Sequence, residues 1–340
     1  MHGATETAAS VYGTVARMKE MSRVYLIGAG ALGVHHLEGL LKAHIPLSLT
    51  VIDVSPAALD GARAIVSAVA SHHEVSFSTT IPKVQHVDVA IIATTSSHRA
   101  EAVRELLKNV ARVDYLMLEK IMFDKRSDYA SIGRLLKKRH VRTWVNCTRR
   151  MLPFHQSLKK KTRAPLWFHV SAGSRYGLMT SVIHYIDYLC YLTGSTDFHT
   201  DTSLLVPKLL PSKRAGYHEL EGTLVFRFQN GSLGIVTTLS HSSPLVCTVA
   251  AASLRAVIRE SEMKALVSEK KGGWKWKEED VPMTRQSDLT GSLVEKILKT
   301  GRCDLTAYEE SAKIHLAVLE PIRGYLEKSL GKTFTTYPFT

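Results

Sequence analysis

From residue 22 onward the chain alternates between two rhythms. Short apolar runs are followed by stretches whose apolar positions recur every three or four residues, the pattern of strand followed by helix. RVYLI (23–27) reads as a strand and VHHLEGLLKA (34–43) as the helix behind it. LSLTVID (47–53), EVSFS (74–78), VDVAIIATT (87–95) and VDYLMLEK (113–120) read as further strands. Helices over PAALDGARAIVSAVA (56–70) and HRAEAVRELLKNV (98–110) lie between them. This alternation predicts a parallel sheet with right-handed crossovers. Farther along, the period becomes two. LWFHV (166–170) and ELEGTLVFRF (219–228) read as strands, and Gln229-Asn230-Gly231 as a hairpin turn into SLGIVTTLS. RAVIRESEMKALVSE (255–269) reads as a strand pair around a polar turn, and GGWKWKEE (272–279) as an edge strand. The last long element, 307–330, reads as an amphipathic helix interrupted by Pro321. No repeat or low-complexity segment is present.

Between the first strand and first helix lies GAGALG (28–33), a G-x-G-x-x-G pattern. Gly28 permits the tight turn, Gly30 lets the backbone approach a pyrophosphate, and Gly33 allows helix to pack closely on strand. Ala31 and Leu32 begin the helix, whose free N–H groups and dipole favour phosphate. Asp53 ends the second strand, twenty residues beyond Gly33. A carboxylate there accepts hydrogen bonds from ribose hydroxyls and repels a 2′-phosphate. The cofactor expected is NAD, with NADP possible. Without strand, helix and acid in this order, the pattern would be a chance glycine turn, and Asp53 a turn residue before Pro56.

GLMTSVIHYIDYLCYLTG (177–194) has enough apolar positions to pin a helix to a core. Thr180, His184 and Asp187 fall at i, i+4 and i+7, on one side of it. Taken alone, these are a satisfied core histidine and a paired or capping aspartate.

Composition narrows the function classes. The 340 residues are 45% hydrophobic and 22% charged, which suits two globular domains. A run of about eighteen apolar residues is lacking, so no membrane role is expected. Four scattered cysteines without C-x-x-C spacing fit reduced thiols in a cytoplasmic protein and give no metal signature. The net charge of +13 comes from dispersed basic residues without a nucleic-acid-reading motif. Most of it reads as solvated surface, and it would also steer an anionic small molecule toward a cleft. Residues 1–20 read as a flexible tail lacking the apolar core of a secretion signal.

Seven segments in order resemble the glucose–fructose oxidoreductase/inositol dehydrogenase (Gfo/Idh/MocA) family: RVYLIGAGALGVHH, VDVAIIATTSSHRAEAV, YLMLEKIMF, VNCTRRMLP, GLMTSVIHYIDYLCYLTG, FRFQNGSLGIVTTL and LTAYEESAKIHLAVLEPI. The resemblance covers residues 22–332 and implies an α/β fold. Residues 21–145 would form a Rossmann domain with a doubly wound parallel sheet. Residues 146–335 would form an α+β domain with a large open, mainly antiparallel sheet, used for substrate and oligomer contacts. It implies an NAD(P)-dependent oxidoreductase acting on a sugar or nucleotide-sugar CH–OH group, assembled as a dimer or tetramer.

Residue by residue, Lys120 matches the lysine of the family's Glu-Lys-Pro signature, which handles the carbinol proton. Glu119 matches its glutamate, on the cofactor side, and Ile121 replaces its proline. His184 matches the acid/base histidine, while Thr180 stands where the family has aspartate. Ser181 is a neighbouring candidate for substrate contact, and Asp187 matches a second acid that is either structural or orients His184. Arg150, with Arg149 and Pro153, matches a substrate-side arginine pair. Thr94, Thr95 and His98 fall where the family lines the nicotinamide ribose. SRYGLMTSVIHYID and VNCTRRM look most like a branch tied to bacterial surface-polysaccharide sugars. Two rival readings stay open, the first of them favoured by the departures at Thr180 and Ile121. One is a non-catalytic dinucleotide-binding sensor or scaffold; the other is an NADP-dependent reductase of a non-sugar substrate.

Overall fold

The computed structural model describes residues 21–173, 177–239 and 243–340. The stretch 1–20, read as a tail, lies outside the described residues.

The first half is built from β1 (Ser22–Ile27), α1 (Ala31–Leu41), β2 (Leu47–Ile52), α2 (Pro56–Ser67), β3 (Glu74–Ser78), β4 (Val84–Ile92), α3 (Ser96–Asn109), β5 (Val110–Leu118), α4 (Arg126–Lys138) and β6 (Arg142–Val145). These strands pair in parallel in the order β6-β5-β4-β1-β2-β3. β1 is buried to its last residue, as its apolar run predicts. The order reverses between β1 and β4, which opens a crevice beyond the carboxyl ends of those strands.

The second half contains α5 (Pro153–Lys161), β7 (Leu166–Gly173), α6 (Leu178–Thr193), β8 (Phe198–Leu205), β9 (Leu210–Pro211), β10 (His218–Glu219), β11 (Gly222–Phe228), β12 (Leu233–Leu239), β13 (Val246–Ala251), β14 (Leu254–Arg259), β15 (Lys264–Glu269) and β16 (Trp276–Asp280). Eight of these strands form one sheet, β16-β15-β14-β13-β7-β12-β11-β8, antiparallel except for β7 with β12. The Gln229-Asn230-Gly231 turn joins β11 to β12, with Gly231 at φ +81 as the hairpin requires. α6 lies on one face of the sheet, where Gly234 leaves room for Leu189: a Cβ at Gly234 would lie 2.5 Å from Leu189 Cδ2. Trp167, 67% exposed, stands on the other face.

The chain then returns to the first sheet. α7 (Gln286–Thr300) packs on α1 so closely that a Cβ at Gly291 would sit 2.3 Å from the Gly39 carbonyl oxygen. β17 (Thr306–Ala307) pairs antiparallel with β6 and closes that edge. The division at residue 145 is therefore not a clean cut, because residues 286–307 pack with the first domain. α8 (Tyr308–Leu330) runs through Pro321 as one helix, against the expected interruption. Val318, Leu319, Ile322 and Leu326 are fully buried on both sides of the proline, and that burial offsets the one backbone hydrogen bond it forfeits.

His155 and His315 are two of the buried histidines. His155 packs edge-on against Tyr188, and His315 turns its Nδ1 to the Ser311 carbonyl at 2.8 Å. Burial, with Arg149 beside it, pushes His155 down to about 4; burial likewise pushes His315 down to about 3. Their folded values lie below the unfolded one. The stability they contribute is therefore present above pH ~6.5 and lost on acidification, when only the unfolded chain takes up protons. Between pH 7 and 5 each is expected to cost about 2 kcal/mol. Denaturation midpoints at the two pH values should show His155→Phe losing less than the wild type by that amount.

Candidate active site

The glycine loop is shaped by sterics at each glycine. Gly28 has φ +99 and donates its N–H to the Ile52 carbonyl at 2.8 Å; a Cβ there would lie 2.9 Å from the Ala93–Thr94 backbone. A Cβ at Gly33 would lie 1.9 Å from the Gly28 oxygen. At Gly30 nothing lies within 4 Å of that position, so the loop's open side faces the crevice. Ala31 and Leu32 form the first turn of α1, which has no side-chain cap. Asp53 is fixed at the rim, accepting from the N–H of Ala29 at 2.7 Å and of Ser55 at 2.8 Å.

Gly28, Gly30, Asp53, Thr94, Thr95, His98 and Glu101 line a crevice of about 450 Å³. Thr95 and His98 share a hydrogen bond at 3.0 Å. Thr94 Oγ1 is buried with no partner among the described residues. Arg99, fully buried, donates to the carbonyls of Thr94, Ile121 and Met122, which fastens the end of β4 to the loop after β5. The sequence reading missed this residue, since nothing in HRAEAV marks an arginine as interior.

That loop carries Lys120, which is 7% exposed and donates to the Thr180 carbonyl at 2.9 Å. Ile121 follows through a cis peptide bond. Burial lowers the Lys120 pKa and Arg214 adds to this, opposed by Glu119 and Glu219. His184 lies one turn along α6 from Thr180, half-buried, its Nδ1 without a partner among the described residues. Burial, then the charges of Lys120 and Arg149, hold it well below the usual histidine value. An ammonium and a neutral imidazole thus lie near each other beside the first turns of α6. Together they can hydrogen-bond an oxygen and accept its proton. Ser181 is half-buried beside Thr180.

Three of the expected contacts belong elsewhere. Glu119 is buried and does not line the glycine-loop crevice. Its carboxylate accepts from His36 Nε2 at 2.9 Å and from Asn146, and His36 Nδ1 meets Thr290 of α7 at 3.0 Å. Burial opposes its charge, but His36, Asn146 and Arg99 hold it below the usual carboxylate value. Arg150 and Asp187, read as substrate ligands, are buried on each other. The guanidinium donates to the carboxylate at 2.9 and 3.0 Å, and Thr306 donates to it as well. Arg149 is held by Glu260 and Tyr185. Each arginine lies next to an acid that needs a counter-charge in the core, and that need outweighs a role in the pocket.

The acid that does reach the site is Glu219, which the local sequence does not announce. It comes from a two-residue strand, and the Thr180 hydroxyl donates to it. His86, Asp88 and Asp114 offer ligand atoms within 4.8 Å of one another at the opposite end of β4, where Arg112 and the Arg23 N–H already engage the carboxylates.

No protein-family model matches the chain, and no curated protein matches it in sequence. Solved structures match in fold. An oxidoreductase from Agrobacterium radiobacter, in complex with NAD+, L-tartaric acid and magnesium, superposes with TM-score 0.71 at 14% identity, over 92% of this chain and 97% of that one. A UDP-N-acetylglucosamine 3-dehydrogenase from Acidithiobacillus ferrooxidans gives 0.65 at 14%, over 92% and 100%. An NAD-binding oxidoreductase from Klebsiella pneumoniae gives 0.67 at 12%, over 91% and 97%. The two-domain fold expected from the resemblance is the fold observed. No helix among the described residues is long and apolar enough to cross a membrane.

Proposed function

We propose that the protein is an NAD-dependent oxidoreductase that exchanges hydride with a secondary alcohol or ketone of an anionic sugar derivative. The observation that carries this reading is the nearness of Lys120 and His184 to each other, in a chain that also has a glycine-loop crevice. The crevice suits a dinucleotide: Gly30 leaves open space where a pyrophosphate would approach, α1 offers uncapped N–H groups, and the orphaned Thr94 hydroxyl awaits a polar partner. When bound, the nicotinamide supplies the hydride acceptor or donor. Lys120 holds the carbinol oxygen and stabilises its developing negative charge. Neutral His184 accepts the proton in oxidation and returns it in reduction.

The fold neighbours support this reading, since one was solved with NAD+ and a hydroxy acid and another is named for a nucleotide sugar. Lys213, in the wall beside Thr180 and Glu219, is consistent with an anionic substrate. Self-association is proposed through the outer face of the large sheet, around Trp167 and Leu239.

The test is stopped-flow absorbance at 340 nm with NAD(H) or NADP(H) and a panel of sugar acids, sugar phosphates and nucleotide sugars. Binding of NAD without turnover across the panel would favour a sensor instead. Asp53→Ala is expected to weaken NAD binding about 10- to 100-fold, the value of a charged hydrogen-bond acceptor, and to narrow the gap to NADP. Titration calorimetry with both dinucleotides checks this.

A further inference from the structure

Glu219 sits at the N-terminal turn of α6 although it belongs to a hairpin 39 residues farther along. Its carboxylate accepts from the N–H of Met179 at 2.7 Å, from the N–H of Thr180 at 3.1 Å, and from the Thr180 hydroxyl. Gly177 makes the seat: at φ +58, a Cβ there would lie 2.6 Å from the Glu219 carboxyl carbon. The same residue, Thr180, turns its carbonyl to Lys120 Nζ at 2.9 Å. Carboxylate, threonine and ammonium are therefore joined in series, and the first two stand on the wall of a pocket of about 180 Å³ that Gly177 and Lys213 also line.

Given the oxidoreductase reading above, we infer that Glu219 is the positioning carboxylate of the reaction site: through Thr180 it fixes the Lys120 ammonium toward the substrate oxygen and keeps it charged. A cap alone would need only an acceptor oxygen for the two amides. The added hydroxyl link, and the lysine on the same residue's carbonyl, make this seat more than a cap. Burial raises the Glu219 carboxyl, while Thr180, the Met179 amide and Lys120 pull it back. Lys120 is faced by Glu119 from its own loop, Cys147 beyond β6, Arg214 and Glu219 from the hairpin, His184 on α6 and His315 on α8. Glu221 lines the same pocket as Glu219 and Lys213. Glu219 is thus one of two carboxylates holding Lys120 charged against burial and Arg214.

The experiment uses Glu219→Gln, which removes the charge, keeps one acceptor oxygen for the two amides in the place of Oε2, and puts an NH2 group where the Thr180 hydroxyl can accept. The pH dependence of Lys120 acetylation by acetic anhydride, read by peptide mass spectrometry, gives the lysine's apparent pKa without any turnover. It is expected to fall by about one unit relative to wild type. An unchanged value in a folded variant would overturn the inference and reduce Glu219 to a cap. Should Glu219→Gln fail to fold, Thr180→Val, which leaves both amide contacts, is expected to shift Lys120 in the same direction, and an unchanged value there overturns it equally. With a substrate in hand, the lysine limb of the kcat/KM profile should move by the same amount. A labelling shift without a profile shift would leave the coupling standing and reject Lys120 as the group at the substrate.

Discussion

Lys120→Ala is expected to lower kcat about 1,000-fold while leaving NAD affinity within about twofold. The side chain is not among the residues that line the glycine-loop crevice with Asp53, so its removal leaves that crevice intact. It is also the cation aimed at the Thr180 turn, where the developing charge on a carbinol oxygen would be met. Kinetics at 340 nm beside calorimetric titration of NAD separate the two quantities. Turnover retained above a tenth of wild type would move the chemistry elsewhere. His184→Ala should fall in the same direction, its loss growing as pH drops and solvent base is depleted.

Asp187→Ala is expected to cost about 3 kcal/mol of stability, seen as a melting temperature lower by roughly 4 °C, with little change in KM. The carboxylate is 1% exposed and faces Arg150 and the Thr306 hydroxyl. Removing it leaves a buried guanidinium with the backbone carbonyl of residue 187 at 3.2 Å and, as a counter-charge, the partly exposed Glu310 at 3.3 Å. The three groups come from the turn after β6, from α6 and from β17, so the pair joins elements of both sheets. Calorimetric melting and steady-state kinetics on one preparation decide the matter. A raised KM with an unchanged melting temperature would return Asp187 to the substrate pocket.

The parallel half was legible because its signals are local. The glycine loop, the apolar runs and Asp53 act within some thirty residues, and sterics leave the loop little freedom. The hairpin at Asn230-Gly231 and the edge strand at Trp276 were readable for the same reason. What escaped depends on partners far apart in sequence. β17 has two residues and exists only because β6 offers an open edge. Arg150, Asp187 and Glu119 look like site residues in isolation, and only the fold shows the counter-charges that bury them. Glu219 is the converse case. The carboxylate that the resemblance puts at position 180 arrives instead from another strand, into a seat that Gly177 alone leaves open.

The late return of the chain has a practical meaning for dissecting the molecule. A fragment ending at residue 145 would expose the β6 edge and the groove on α1 that Gly291 fills, and would strip His36 of Thr290. An autonomous piece holding the first sheet would have to splice 286–307 back onto it.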